Sequence, residues 1–380
     1  MEIQGWYKTH FESALAGRYI TMEHLFPMID SLGDLFEKTA IGVSELGKEI
    51  YLLKVGKGEK VVLGWSQMHG NESTTTKAIF DLIAFLGQKE YFQREIKQFL
   101  KEFTLFLIPM LNPDGAALYT RENANLVDLN RDAKKLTQSE SRVLNEIFKK
   151  LKPQLCLNLH DQRSIYGLEA GLSATVSFLA PAADNERSIT PSRKIAMEHI
   201  VRMNNRLNDL IPGHIGRYDD SFNKNCVGDT FQMAGVPTIL FEAGHYKKDY
   251  NREKTREFIF YAFLELFEIT RFSEKSVNHM DYFKIPENRT NFKDVILRNV
   301  RIGSSHHPID VCIQYSEVLK NGSVCHEAVI DDGGECKMVF GHSELDIKGA
   351  YILLNSQEKI SIGQKVFIIS KKSDNSEIIF

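Results

Sequence analysis

Cysteine is scarce in this 380-residue chain, and the five present (Cys156, Cys226, Cys312, Cys325, Cys336) are scattered, odd in number and never in a CxxC arrangement. That excludes a disulfide framework and a cysteine zinc cluster, and the five read as free thiols in a reducing compartment. Excess positive charge is missing too: 47 Lys and Arg stand against 50 Asp and Glu, for a net charge of -3, with no strongly basic stretch. A nucleic-acid partner is therefore not expected. No window approaches the roughly 18 uninterrupted apolar residues of a membrane-spanning helix. The opening MEIQGWYKTHFESAL has no apolar region of signal-peptide type. The expectation is a cytoplasmic protein without a membrane partner. Internal repeats and low-complexity segments are also lacking.

What is present is enough apolar material for a large core, since 43% of the residues are hydrophobic. Four apolar runs are short and continuous rather than alternating: VVLGW (61 to 65), FTLFLIP (103 to 109), LCLNL (155 to 159) and PTILF (237 to 241). Such runs suit strands covered on both faces in a mostly parallel sheet. Helical spacing lies between them, in Ile79, Leu82, Ile83 and Leu86, in Leu144, Ile147, Phe148 and Leu151, and in Ile259, Phe263 and Leu266. This alternation predicts an α/β/α sandwich with a mostly parallel, mixed central sheet over residues 1–274. From 275 to 380 the texture changes to β-branched runs, VILRNVRI, HPIDVCIQY, AYILLN and KVFIIS, separated by NG, GG and IGQ turns. A small C-terminal all-β domain is expected there.

In an open α/β sheet the ligand crevice lies outside the carboxyl ends of the strands. Three of the four predicted strands run directly into potential metal ligands: the first into His69 and Glu72, the third into His160, the fourth into Glu242. Two neutral imidazoles and a carboxylate, with a position left for water, form a catalytic zinc pattern, and zinc lowers the pKa of its water toward about 7. Glu242, last in an apolar strand and followed by Ala-Gly, is placed to take a proton from that water. Taken singly, each of these residues reads as an ordinary hydrogen-bonding group at a strand end; their joint placement points to a site.

After the second strand comes NPDGAALYTRENANLVDLNRD (112 to 132). Asn112-Pro113-Asp114-Gly115 is turn chemistry in any fold. Arg121, Asn130 and Arg131 suit a substrate carboxylate and an oxyanion if they lie near the metal, and a solvated loop if they do not. Asp128 reads as orienting the loop. Arg163 is read either as reaching the pocket, where it favours an acidic or carboxylate-bearing side chain such as glutamate or diaminopimelate, or as a structural salt bridge to Asp161 or a neighbour. FIFYAFLELF (258 to 267) reads as a buried helix face. His306-His307 has no third ligand nearby in the sequence and is discounted as a metal site.

In that order, HGNE (69 to 72), NPDG (112 to 115), TRENANLVDLNRD (120 to 132), LNLHD (157 to 161) and ILFEAG (239 to 244) resemble the zinc carboxypeptidases of the carboxypeptidase A family, the M14 metallopeptidases, over about residues 45 to 270. The resemblance implies one zinc ion per chain, bound by His69, Glu72 and His160, with Glu242 as general base and acid. It implies Arg121 against the scissile carbonyl, and Asn130 and Arg131 on the substrate's terminal carboxylate. Tyr218 is the candidate for the family's substrate-capping tyrosine, with Tyr246 and Tyr250 competing. The compact stretch between Glu72 and His160 is more like the bacterial murein-peptide amidases of the family. The implied substrate is a peptide or small amide with a free carboxylate. HGNE also resembles the aspartoacylase and succinylglutamate desuccinylase branch, which makes an N-acyl amino acid deacylase the alternative. A non-catalytic binding protein, or a β domain that recruits a partner, is the reading from a different class.

Overall fold

The computed structural model describes residues 2–269, 277–304, 307–334, 336 and 338–378, so His306 of the discounted histidine pair lies outside the described residues. Contacts divide the chain into two compact units, residues 1–162 with 174–288, and residues 163–173 with 289–380.

The first unit is built on an eight-stranded sheet of β1 (Phe36–Val43), β2 (Glu49–Gly56), β3 (Lys60–Trp65), β4 (Phe103–Ile108), β5 (Leu155–Asp161), β6 (Val176–Leu179), β7 (Ile215–Arg217) and β8 (Thr238–Ala243). Their spatial order is β1-β2-β4-β3-β5-β8-β6-β7. The four central strands, β4, β3, β5 and β8, are mutually parallel. They are the four continuous apolar runs, as burial on both faces requires. Antiparallel strands β2 and β6 join the two sides of this block, so the sheet is mixed. The sequence reading did not single out β1, β2, β6 or β7. Among them β1 is mostly solvent-exposed, and β6 and β7 are too short to show a period.

The strand period of two sends alternate residues to opposite faces. On one face Leu155, Leu157 and Leu159 of β5 join Ile239, Phe241 and Ala243 of β8 in the larger core. That core is covered by α1 (Ile3–His10), α2 (Met22–Asp30), α3 (Thr74–Gly87), α4 (Gln93–Glu102) and, further along, α7 and α9. On the other face Leu63, Trp65 and Cys156 pack under α6 (Ser139–Leu151) and α8 (Val227–Met233). The short α5 (Pro113–Leu118) follows β4, touches α2 and gives Ala116 to the first core, and α7 (Pro191–Asn208) and α9 (Glu253–Leu266) contact each other over the same face. This is the α/β/α arrangement expected. Every residue of α9 from Thr255 to Leu266 is buried, so the aromatic run is enclosed all round and not on one face alone.

The second unit holds a five-stranded sheet of β9 (Phe292–Val300), β10 (Ile309–Lys320), β11 (Ser323–Gly334), β12 (Phe340–Asp346) and β14, and a small pair formed by β13 (Ile352–Leu354) and β15 (Ile369–Lys371). Asn321 and Gly322 turn the β10–β11 hairpin with φ of 50° and 74°. Positive φ at both central residues is what a two-residue primed turn demands, hence Asn-Gly. The KVFIIS run does not form one strand. It divides into β14 (Lys365–Val366) and β15, because Asn355 Oδ1 accepts from Phe367 N at 2.8 Å between them. The expected GG turn lies within β11 instead, where Gly333 and Gly334 pair with Val311 and Asp310. Among the described residues no helix is long and apolar enough to cross a membrane.

Candidate metal centre

The turn after β3 is shaped by its neighbour and not by its own sequence alone. Gln67 adopts a left-handed φ of 43° and its amide donates to Ile20 O and Gly70 O. Gly70 is required because a Cβ there would meet Gly115 C at 2.0 Å and Ala116 N at 2.2 Å. HGNE and NPDG therefore pack backbone to backbone. Asn112 fastens them: its Oδ1 accepts from Gly115 N at 2.8 Å, capping α5 ahead of Pro113, while its Nδ2 donates to Met68 O and Glu122 O, both at 3.2 Å. NPDG is thus a helix start and a bracket for the metal turn, beyond the simple turn its composition predicts.

His69, Glu72 and His160 come together at the carboxyl edge of the sheet, all buried, with their candidate ligand atoms within 4.8 Å of one another. His69 Nδ1 lies 2.8 Å from Glu72 Oε1, and His160 Nδ1 lies 2.8 Å from Glu72 Oε2 and 3.1 Å from His69 Nδ1. Two ring nitrogens and a carboxylate aimed at one point form a set of cation donors. Behind them, His69 Nε2 is 3.0 Å from Asp128 Oδ1, a histidine–carboxylate contact of the kind that fixes the tautomer of a metal-bound imidazole. Asp128 also accepts from Asn130 N at 2.9 Å, so it orients the loop as expected and holds His69 in addition.

The electrostatics fit a cation. Burial would raise the Glu72 carboxyl, but the two imidazoles beside it carry it well below the usual carboxylate range. Burial pulls His160 down toward the neutral form that binds metals. Burial also pulls His69 down, yet Glu72 and Asp128 outweigh it and leave it raised. The negative charge of Glu72 and Asp128 around His69 is what a divalent ion would balance. The donor types, two nitrogens and a carboxylate oxygen, fit zinc.

Glu242 is in direct register with His160 across the parallel β5–β8 pair, so the two side chains leave the same face of adjacent strands. Burial, then the charges of Glu72 and Asp161, push its carboxyl well above the usual range, and Arg121 pulls the other way. Arg121 forms the solvent side: its guanidinium donates to Asp128 Oδ2 at 3.0 and 3.1 Å and reaches Glu72 Oε1 at 3.4 Å. Asn130 is tied to α8 through its Oδ1, which accepts from Val227 N at 3.1 Å, and exposed Arg131 donates to Asn130 O at 3.0 Å. Tyr218 follows β7, half-buried, with its backbone N–H on Phe178 O. Tyr246 rests against His214 and Phe258, and Tyr250 against His245, on the turn leading to α9. Arg163 is exposed and is grouped with the second unit. The ion-pair partner of Asp161 is Arg18 at 2.9 Å, a residue in no motif. A cavity of about 700 Å³ lined by Phe92, Arg94, Phe99, Arg206 and Phe267 includes none of these site residues.

Residues 27–178 match the family model described as zinc carboxypeptidase. Carboxypeptidase 2 of Trichophyton rubrum is 29% identical over 99 residues, which are 26% of this chain and 18% of that protein, so the chain spans under a fifth of the curated relative it matches. Among solved structures, a metallo-carboxypeptidase from Burkholderia cenocepacia superposes with a TM-score of 0.53 at 15% identity, covering 69% of each chain. Carboxypeptidase A from Helicoverpa armigera gives 0.51 at 15%, covering 66% of this chain and 72% of that one. At such identities the structures testify to the shared fold, while the matched segment spans His69, Glu72, Arg121, Asp128 and His160. The fold is thus shared with metallo-carboxypeptidases, and residues 27–178 are similar to the zinc carboxypeptidase family.

Proposed function

We propose that this chain is a zinc-dependent hydrolase of C-terminal peptide or amide bonds, with its chemistry in the first unit. One observation carries the reading: His69, Glu72 and His160 converge within 4.8 Å while Glu242 stands in register with His160 on the neighbouring strand. When bound, a zinc ion supplies Lewis acidity and makes water acidic near neutral pH.

The remaining work belongs to side chains. Glu242 takes a proton from the attacking water and returns it to the leaving amine, so it must alternate between charge states. Burial and two neighbouring carboxylates push its carboxyl above the usual range in the ion-free chain, and a bound divalent cation would act in the opposite sense. Arg121 faces the developing oxyanion while Asp128 fixes its guanidinium. Asn130 and Arg131 receive the substrate's terminal carboxylate, with Asn130 held by the first turn of α8. Retention of all three ligands together with Glu242 weighs against a non-catalytic binding role.

The test is a screen of the zinc-loaded chain against peptides with free C-termini, diaminopimelate-containing murein peptides and N-acyl amino acids. C-terminal cleavage, lost by about 100- to 10,000-fold in Glu242→Gln while zinc stays bound, is the expected result. Near-normal kcat in that variant removes Glu242 from the chemistry. Hydrolysis of N-acyl amino acids alone moves the reading to the deacylase branch.

A further inference from the structure

The N-terminal segment lies ahead of the residues matched to the family, 27–178, yet it sends a buried side chain into the scaffold of the metal centre. Arg18 is 6% exposed. Its Nη1 donates to Asp161 Oδ2 at 2.9 Å and to Thr74 Oγ1 at 3.2 Å, and its Nη2 donates to Asn71 O at 3.4 Å. Asp161 Oδ2 also accepts from Thr74 N at 3.2 Å and Thr74 Oγ1 at 2.6 Å. A single guanidinium thus binds the residue before Glu72, the first residue of α3, and the residue after His160.

The link from Asp161 to the ligands is direct, because its backbone N–H donates to Glu72 Oε2 at 3.1 Å, the oxygen that faces His160. The Arg18 backbone is held from two sides: Gly17 N donates to Glu253 Oε1 at 2.9 Å, away from the site, and Ser73 Oγ, next to Glu72, donates to Arg18 O at 2.6 Å. A second buried arginine, Arg252, acts on the same strand ends, donating to Gln162 O at 3.1 Å and Ala243 O at 3.4 Å. The His69–Glu72 turn and the end of β5 come from distant parts of the chain. A ligand set divided in this way binds a cation tightly only if the two parts are held in one geometry before the ion arrives.

We infer that Arg18 is a positioning residue for the metal centre: through Asp161 and Asn71 it clamps the ligand turn to the end of β5 and keeps the Glu72 carboxylate turned toward both imidazoles. The inference rests on the metal-site reading given above. Without the guanidinium, Asp161 Oδ2 keeps only Thr74 as a donor among these contacts and the tie to Asn71 O is gone, so the ligand turn is held less firmly against the end of β5, whose Asp161 N–H orients Glu72. Lysine keeps the charge but cannot span Asp161, Thr74 and Asn71 with one planar fork.

The experiment measures zinc affinity of the full chain by competition with a chromogenic chelator, the visible spectrum of the cobalt(II)-substituted protein, and the melting temperature of the ion-free protein. Arg18→Ala is expected to weaken zinc about 10- to 100-fold and to change the cobalt spectrum. Arg18→Lys recovers part of that loss, and Thr74→Val, which removes one hydroxyl and leaves the guanidinium, causes a smaller one. Wild-type affinity and spectrum in a folded Arg18→Ala protein overturn the inference even if its melting temperature falls, since that pattern is purely structural. If Arg18→Ala does not fold, Arg18→Lys and Thr74→Val decide by the same criteria. A wild-type chain that binds no zinc overturns the metal reading, and this inference with it.

Discussion

The two units place their ion pairs differently. In the first, several ionisable side chains are drawn inside: Arg256 and Asp81 form a fully buried pair, Lys77 is buried against Glu253, and Arg18 meets Asp161 beside the candidate metal ligands. In the second, a small apolar core of Val295, Leu297, Val311, Ile313, Ile352 and Ile369 is flanked by charge pairs left near the surface, such as Lys320 and Lys365 on Glu327. Burying a charge is costly unless every partner is present, so the interior pairs of the first unit are sensitive to loss of either member. Exposed pairs gain little and lose little. The cost is concentrated in the unit whose strand ends carry the metal donors.

This contrast can be broken or sharpened by substitution. The largest effect is expected at the ligands: His160→Ala should abolish zinc retention, read as metal content by elemental analysis of purified protein. A variant that keeps stoichiometric zinc would show that the three donors do not act as one set. Next, Arg256→Leu leaves Asp81 buried without its partner and should cost about 3–5 kcal/mol in denaturant unfolding. A loss under about 1 kcal/mol would mean the interior tolerates charge as the surface does.

The alkaline pH range gives a third test. Burial lowers Lys77 from its ordinary 10.5 to about 8, with Glu253 acting against that shift. Between those two values the unfolded chain binds the proton and the folded chain does not, so stability rises with pH across that window. Relative to Lys77→Met, the wild type should gain up to about 3 kcal/mol from pH 8 to 10.5, measured by denaturant unfolding at each pH. A flat difference would show that Lys77 keeps its ordinary acidity inside the fold. The smallest effect belongs to the second unit, where Lys365→Ala should leave the melting midpoint unchanged. A clear drop would erase the distinction between the units.

Much of the first unit was legible because its constraints are local. The four parallel strands are continuous apolar runs, and a strand with both faces covered has no other composition available to it. His69 and Glu72 stand three residues apart on one turn, and His160 and Glu242 close two of those runs, so their proximity could be argued from the rule that strand ends gather at one edge. The antiparallel strand β1 escaped notice because most of it faces solvent, and KVFIIS misled because Asn355 divides it. Arg18 left no signal at all. It sits in an unpatterned stretch, GRYI, and its partner Asp161 is 143 residues away.

The sequence by itself determined which side chains are candidates for the chemistry and which strands deliver them, because hydrophobic period, turn chemistry and short ligand spacing are written within a few residues of chain. Only the tertiary structure decided that Gly70 must lie against Gly115, that Asp128 backs His69, and that Arg18 ties the ligand turn to β5. Those contacts join segments far apart along the polypeptide. They exist only once strand register and helix packing have set the distances, and no local pattern encodes a distance of that kind.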